Sequence, residues 1–131
     1  MKLPYRRFER GGLVIYQPVI SVLVADERFD ALVDTGADIN SFPTDKSLQF
    51  TALTGKQPST PAQKVSMSIT EEGTTYAWEG LATFSKTIER PLLGWLGFLE
   101  YFDVTLDNRR RVLKFQPNKA YTGTEKSLWS E

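Results

Sequence analysis

Only one stretch of this 131-residue chain carries apolar residues at helical spacing. Trp95, Phe98, Leu99 and Phe102 stand at i, i+3, i+4 and i+7, which predicts one short helix late in the chain. Almost everything else falls into short apolar or alternating runs cut by turn residues. Leu13–Tyr16, Val19–Ala25 and Phe29–Asp34 read as strands, with Asp26-Glu27-Arg28 as a hairpin turn. Val65–Ile69 alternates apolar residues with serine, and Glu71-Glu72-Gly73 turns the chain into Thr74–Trp78. Leu81–Phe84 is a further strand, and Asp103–Leu106 with Val112–Phe115 forms a closing hairpin. Thr35–Asn40 and Thr54–Gln63 are turn-rich, the second holding Gly55, Pro58 and Pro61. The reading is an all-β domain with one short C-terminal helix.

Length fits a single domain over 1–131, since domains commonly run to about 100–150 residues. Its core is expected over about 13–116, with 1–12 and 117–131 as terminal extensions. The tail from Gln116 is polar and expected to be loosely ordered, with Tyr121 and Trp129 as docking points.

The chain contains neither cysteine nor histidine. That removes disulfides, thiolate nucleophiles, imidazole bases and the Ser-His-Asp triad. Acid–base chemistry near neutral pH is left to carboxylates, lysine or tyrosine. Sixteen basic side chains balance sixteen acidic ones, so no overall positive field draws nucleic acid or anionic lipid. The Arg6/Arg7/Arg10 group and the Arg109–Arg111 run read as solvated local features. Neither a nucleic-acid nor a membrane partner is expected. The basic start and the apolar Leu13–Ala25 imitate an export signal. Polar Gln17 and Ser21 and the lack of an A-x-A site argue instead for a cytoplasmic protein.

The informative segment is Phe29-Asp30-Ala31-Leu32-Val33-Asp34-Thr35-Gly36-Ala37-Asp38. An apolar strand delivers Asp34 into a turn, which would hold a carboxylate still at the edge of a core. Gly36 lets another chain approach the backbone closely, and Thr35 can hydrogen-bond main-chain groups. An ordinary Asx-turn would use the same residue types. A second feature, Pro91-Leu92-Leu93-Gly94 ahead of the predicted helix, weighs against that plainer reading.

Together, Leu32–Asp38 and Leu92-Leu93-Gly94 with the following helix resemble the retropepsin-like aspartic proteases, in the order that family uses. The segment Phe98–Asp107 is closer to cellular and bacterial members than to viral ones. The resemblance implies a single-lobe closed β-barrel that works as a symmetric homodimer and cleaves peptide or protein substrates without a cofactor. It makes Asp34, Thr35 and Gly36 the catalytic loop, and Ala37, Asp38, Ile39, Leu92 and Gly55 substrate contacts. With one Asp-Thr-Gly per chain, the second carboxylate must come from a partner subunit.

Three departures accompany the resemblance. Viral members hold the counterpart of Asp38 with arginines at places occupied here by Gln17 and Trp95. Asp38 is then expected to pair with Arg6, Arg7, Arg10 or the Arg109–Arg111 run, or to cap its own turn. The flap segment Leu53–Lys64 offers only Gly55 and carries two prolines. Viral dimers also interleave their termini in one sheet, whereas the longer, polar ends here predict a different dimer contact. Two other readings stay open: a non-catalytic dimerisation or peptide-binding module, and a small β domain whose Asp-Thr-Gly is only a turn. Asp34 with Asp38, or Asp103 with Asp107, supply too few hard ligands for a metal site to be expected.

Overall fold

A computed structural model describes residues 1–43 and 62–128. Gly55, most of the flap segment and Trp129 lie outside the described residues. The period-two runs become strands as expected. β1 is Lys2–Pro4, β2 Arg6–Arg10, β3 Leu13–Gln17, β4 Val19–Val24, β5 Glu27–Val33 and β6 Asn40–Phe42. β7 is Gln63–Glu71, β8 Thr74–Phe84, β9 Leu92–Leu93, β10 Phe102–Asp107, β11 Val112–Pro117 and β12 Thr124–Ser127.

Six of these close a barrel in the order β8-β6-β9-β5-β4-β7, with β7 returning to β8. Each barrel strand puts alternate side chains inward, so Ile20, Val22 and Val24 of β4 meet Phe29, Ala31 and Val33 of β5 in the core. β8 is the long wall. One edge pairs with β7 from Thr74 to Ala82, while the other takes β12 near Thr74–Ala77 and β6 near Ala82–Phe84. Thr74–Trp78 and Leu81–Phe84 are one strand because Gly80 stays within it. A Cβ there would sit 2.8 Å from the Gly97 carbonyl, so only glycine admits that close approach.

Among the described residues there is no α-helix, and the expected helix over Trp95–Phe102 is corrected to an irregular turn. Two features stop it. Trp95 and Leu96 have extended pairing with the segment Ala37–Asn40, bridging Leu96 to Ile39. Gly97 then takes φ +96°, which no helix accommodates. The remaining turn bonds irregularly, Leu99 to Gly94 and Phe102 to Phe98. Phe98 and Phe102 are buried as the spacing predicted, but Trp95 is 56% exposed. The buried pair joins Trp78, Tyr76 and Phe115 in an aromatic cluster below the turn.

The ends are more structured than their polarity suggested. β1 adds to β11 and β10 in a three-stranded sheet, and Leu3 and Tyr5 enter the core. Looseness of the tail is not found in its described part, where β12 runs along β8. Tyr121 docks as expected, its hydroxyl donating to Ala77 or Thr124 carbonyls and its ring lying against Phe102. β2 and β3 form a separate two-stranded hairpin.

That hairpin is clipped to the barrel by Arg6, which pairs with Asp30 at 2.9 Å and donates to Ser21 at 2.8 Å. Hydrogen bonds from Ser21 and Arg6 hold the Asp30 carboxyl below its ordinary pKa. A pKa lower in the folded than in the unfolded state adds stability above the ordinary carboxylate range. That stability fades as pH falls through the folded value. The pair is largely exposed, so Asp30→Asn should cost at most about 1 kcal/mol at pH 7. In urea titrations the difference from the parent should vanish in strongly acid buffer; a difference that grows on acidification would refute the assignment.

Candidate active site

Asp34 leaves the barrel at the end of β5, where the backbone is held from both sides. The Val33 amide donates to the Pro18 carbonyl (2.9 Å), and the Asp34 amide donates to the Leu93 carbonyl (2.9 Å). β9 lies parallel to β5, with Leu32 opposite Leu92 and Val33 opposite Leu93. It also touches β6 antiparallel at Ser41. A two-residue strand is thus wedged between the segments entering and leaving the Asp34 loop. Ala31 and Val33 are buried, and Asp34 itself is half-buried. An apolar strand therefore ends on a partly hydrated carboxylate, as the sequence predicted.

Within the loop, the Gly36 amide donates to Asp34 Oδ1 at 2.9 Å, and the Ala37 amide donates to the Asp34 carbonyl at 3.1 Å. The loop is then laced to the segment after β9. Trp95 donates to the Ala37 carbonyl, Leu96 to the Asp38 carbonyl, and Asn40 to the Leu96 carbonyl. Gly94 sits at the crossing. A Cβ there would lie 2.7 Å from the Ala37 oxygen and 2.8 Å from the Ile39 oxygen, so a side chain would push the two segments apart. Asp34, Thr35, Gly36, Ala37, Asp38 and Ile39 therefore share one loop with Leu92 on the adjoining strand. Thr35, Gly36 and Asp38 are exposed, while Ala37, Ile39 and Leu92 are half-buried.

The expected arginine partners of Asp38 are mostly engaged elsewhere. Arg6 pairs with Asp30, Arg7 with Glu9 and Arg110 with Asp107, and Arg111 stacks 3.7 Å over the Tyr16 ring. Among the described residues no ion pair to Asp38 is formed; its carbonyl, not its carboxylate, ties it to Leu96. At the two positions where the resemblance had placed arginines, Gln17 accepts a hydrogen bond from Arg90 at 3.1 Å, and Trp95 is exposed. Asp103 accepts from Asn118 and Asp107 from the Arg110 amide, so both acidic groups have structural partners. No cluster of three potential metal ligands occurs among the described residues. Among the described residues there is no helix long and apolar enough to cross a membrane.

Sequence reasoning missed Asn40. It is the buried polar residue of the described core, and its Oδ1 accepts the Gly94 amide at 2.9 Å. Its Nδ2 lies 3.4 Å from Met67 Sδ. One side chain thus satisfies a buried amide at the crossing that aligns the Asp34 loop. The available signal was alternation: in Asn40-Ser41-Phe42 the first and third positions face inward together, so a polar residue stands on the core face.

The closed barrel, with a short strand wedged beside an Asp-Thr-Gly loop, is consistent with the single-lobe retropepsin-like fold. A solved structure with this architecture, a retropepsin-like aspartic protease from Rickettsia conorii, superposes on the chain with a TM-score of 0.52. The match covers 86% of this chain and 88% of that one at 16% sequence identity, and so speaks for the fold. No protein-family model matches the sequence. No curated protein matches it either.

Proposed function

We propose that the chain is one subunit of a homodimeric aspartic endopeptidase. The observation that carries this reading is the setting of Asp34. Its strand is anchored on both edges, its Oδ1 is fixed by the Gly36 amide, and the carboxylate stays within reach of solvent. A lone carboxylate of this kind is a weak catalyst. Two of them across a two-fold axis share one proton, because like charges so close cannot both ionise. The ionised Asp34 takes a proton from a bound water as that water attacks the scissile carbonyl carbon. The protonated Asp34 of the partner subunit donates to the carbonyl oxygen. Collapse of the tetrahedral species breaks the C–N bond as the departing amine takes the water-derived proton from the first Asp34. A hydroxyl of the diol returns its proton to Asp34 of the partner subunit.

In this reading Thr35 bonds across the two-fold axis and holds the paired loops together. Gly36, Ala37, Asp38 and Ile39 contact the extended substrate backbone, Leu92 lines a side-chain pocket, and Gly55 belongs to the covering flap. The test is incubation of the full chain with an unbiased peptide library across about pH 4–7, the range a proton-sharing carboxylate pair serves. Discrete internal cleavages are expected, with a mildly acid optimum and a specific activity that rises with protein concentration as subunits pair. A confirmed dimer that cleaves nothing would replace this reading with a non-catalytic peptide-binding or dimerisation module.

A further inference from the structure

The β2–β3 hairpin stands apart from the other sheets. Among the described residues its two strands pair only with each other, through a Gly11-Gly12 turn with both glycines at positive φ. An isolated two-stranded ribbon is marginal in water, and most of this one's anchoring lies at its base. There Arg6 reaches Ser21 and Asp30, and Arg111 covers Tyr16. The far end carries aliphatic side chains in solvent: Leu13 is 67% exposed and Val14 is 48% exposed. Successive strand residues face opposite ways, so the two place apolar surface on both faces of the hairpin's tip.

The position of the base gives that surface a partner. β4 pairs with β5 with Val19 opposite Leu32, and the Val33 amide bonds to the Pro18 carbonyl. Continuing the same antiparallel register brings Gln17, the last residue of β3, abreast of Asp34. The hairpin therefore springs from beside the loop that, in the reading above, must face its own copy. The terminal strands are meanwhile engaged inside the subunit. β1 lies on β11, β12 lies on β8, and the Met1 ammonium donates to the Phe115 carbonyl. A dimer built by interleaving termini would have to undo those pairings.

We propose that the β2–β3 hairpin is a dimerisation arm, with Leu13 and Val14 buried against a second copy of this chain. The proposal rests on the homodimer reading and deepens it by naming the contact. Two-fold symmetry makes every arm residue act twice, so charges at the tip weigh doubly against association.

The test is sedimentation equilibrium of the full chain and of a Leu13→Asp, Val14→Asp variant, with the exposed Leu23→Asp as a control on the barrel wall. The double variant should raise the dimer dissociation constant by at least about 100-fold while the control changes it little. Unchanged circular dichroism, with thermal unfolding equal to the parent's at concentrations where the parent too is monomeric, would exclude misfolding. Since the chain has no cysteine, Val14→Cys supplies a single reporter thiol. Its reaction with a thiol reagent should slow as protein concentration rises through the dissociation constant. A double variant that pairs as tightly as the parent, or a reporter equally reactive at every concentration, would overturn the arm. A parent chain monomeric at all concentrations would overturn both the arm and the homodimer. An arm-dependent dimer without peptide cleavage would leave the arm standing and remove the protease.

Discussion

Exchanging Asp34 for asparagine should leave the barrel folded and lower kcat/KM for peptide cleavage by at least about 10²–10⁴-fold. The two side chains have the same shape, and the asparagine amide oxygen can still accept the Gly36 amide that now meets Asp34 Oδ1 at 2.9 Å. The position is half-buried, the backbone bonds to Leu93 and Ala37 are untouched, and no buried partner is orphaned. Chemistry, by contrast, loses everything at this atom. An amide neither takes a proton from water near neutral pH nor shares one with the partner subunit. In the proposed homodimer both subunits would carry the change, so both halves of the pair would be lost together. Steady-state kinetics on a peptide cleaved by the parent, beside thermal unfolding of both proteins, separates the outcomes. A folded variant that still cleaves would show that the reaction does not run through Asp34.

The largest loss of stability is expected from Gly97→Ala. Gly97 is buried at φ +96°, a conformation that L side chains rarely adopt. A Cβ built there would collide with the Leu81 carbonyl oxygen and with Asn40 Nδ2. Neither neighbour yields easily. Leu81 is in the middle of β8, and Asn40 is held by the Gly94 amide. The Gly97 carbonyl in turn accepts the buried Trp78 indole at 2.8 Å, so moving the turn unseats a core aromatic. Backbone strain of about 1–2 kcal/mol and overpacking of about 1–3 kcal/mol together cost about 2–5 kcal/mol, against about 5 kcal/mol of total stability for a weakly stable domain. Urea unfolding should show a lower midpoint at an unchanged slope, which marks lost stability and not an altered unfolded state. A midpoint within error of the parent would mean that the turn relaxes freely.

How much of this was legible in the sequence depended on whether the deciding interactions were local. β3, β4, β5, β7, β8, β10 and β11 follow from apolar or alternating runs bounded by turn residues, whereas the short β6 and β9 were not read as strands. The Asp34 loop was legible for the same reason: Ala31 and Val33 point inward and the chain then turns. The helix was misread because Trp95, Phe98, Leu99 and Phe102 have the right period, while the hydrogen bonds that unwind its start come from Ala37 and Asp38. Those residues are remote in sequence, and periodicity does not register them. Asn40 was invisible as a site residue because its role depends on which amide lies opposite, and that amide belongs to Gly94. The terminal strands escaped because they are short edge additions, in which backbone pairing matters more than side-chain pattern. Arginine pairing failed likewise, since Asp30 and Tyr16 claimed groups that charge counting had offered to Asp38.

The wedged strand β9 has a consequence for how the molecule comes into being. Leu92 and Leu93 lie between β5 and β6 in the finished barrel, although the β7–β8 hairpin separates them from both in sequence. Parallel pairing over such sequence separations forms slowly and late, since loop closure must be met before any contact repays it. The main-chain grip on Asp34 therefore depends on a partner, Leu93, that lies far along the chain. A nascent or half-folded chain carries the aspartate but not its geometry. In the proposed protease, cleaving competence would accordingly arrive only with the finished barrel.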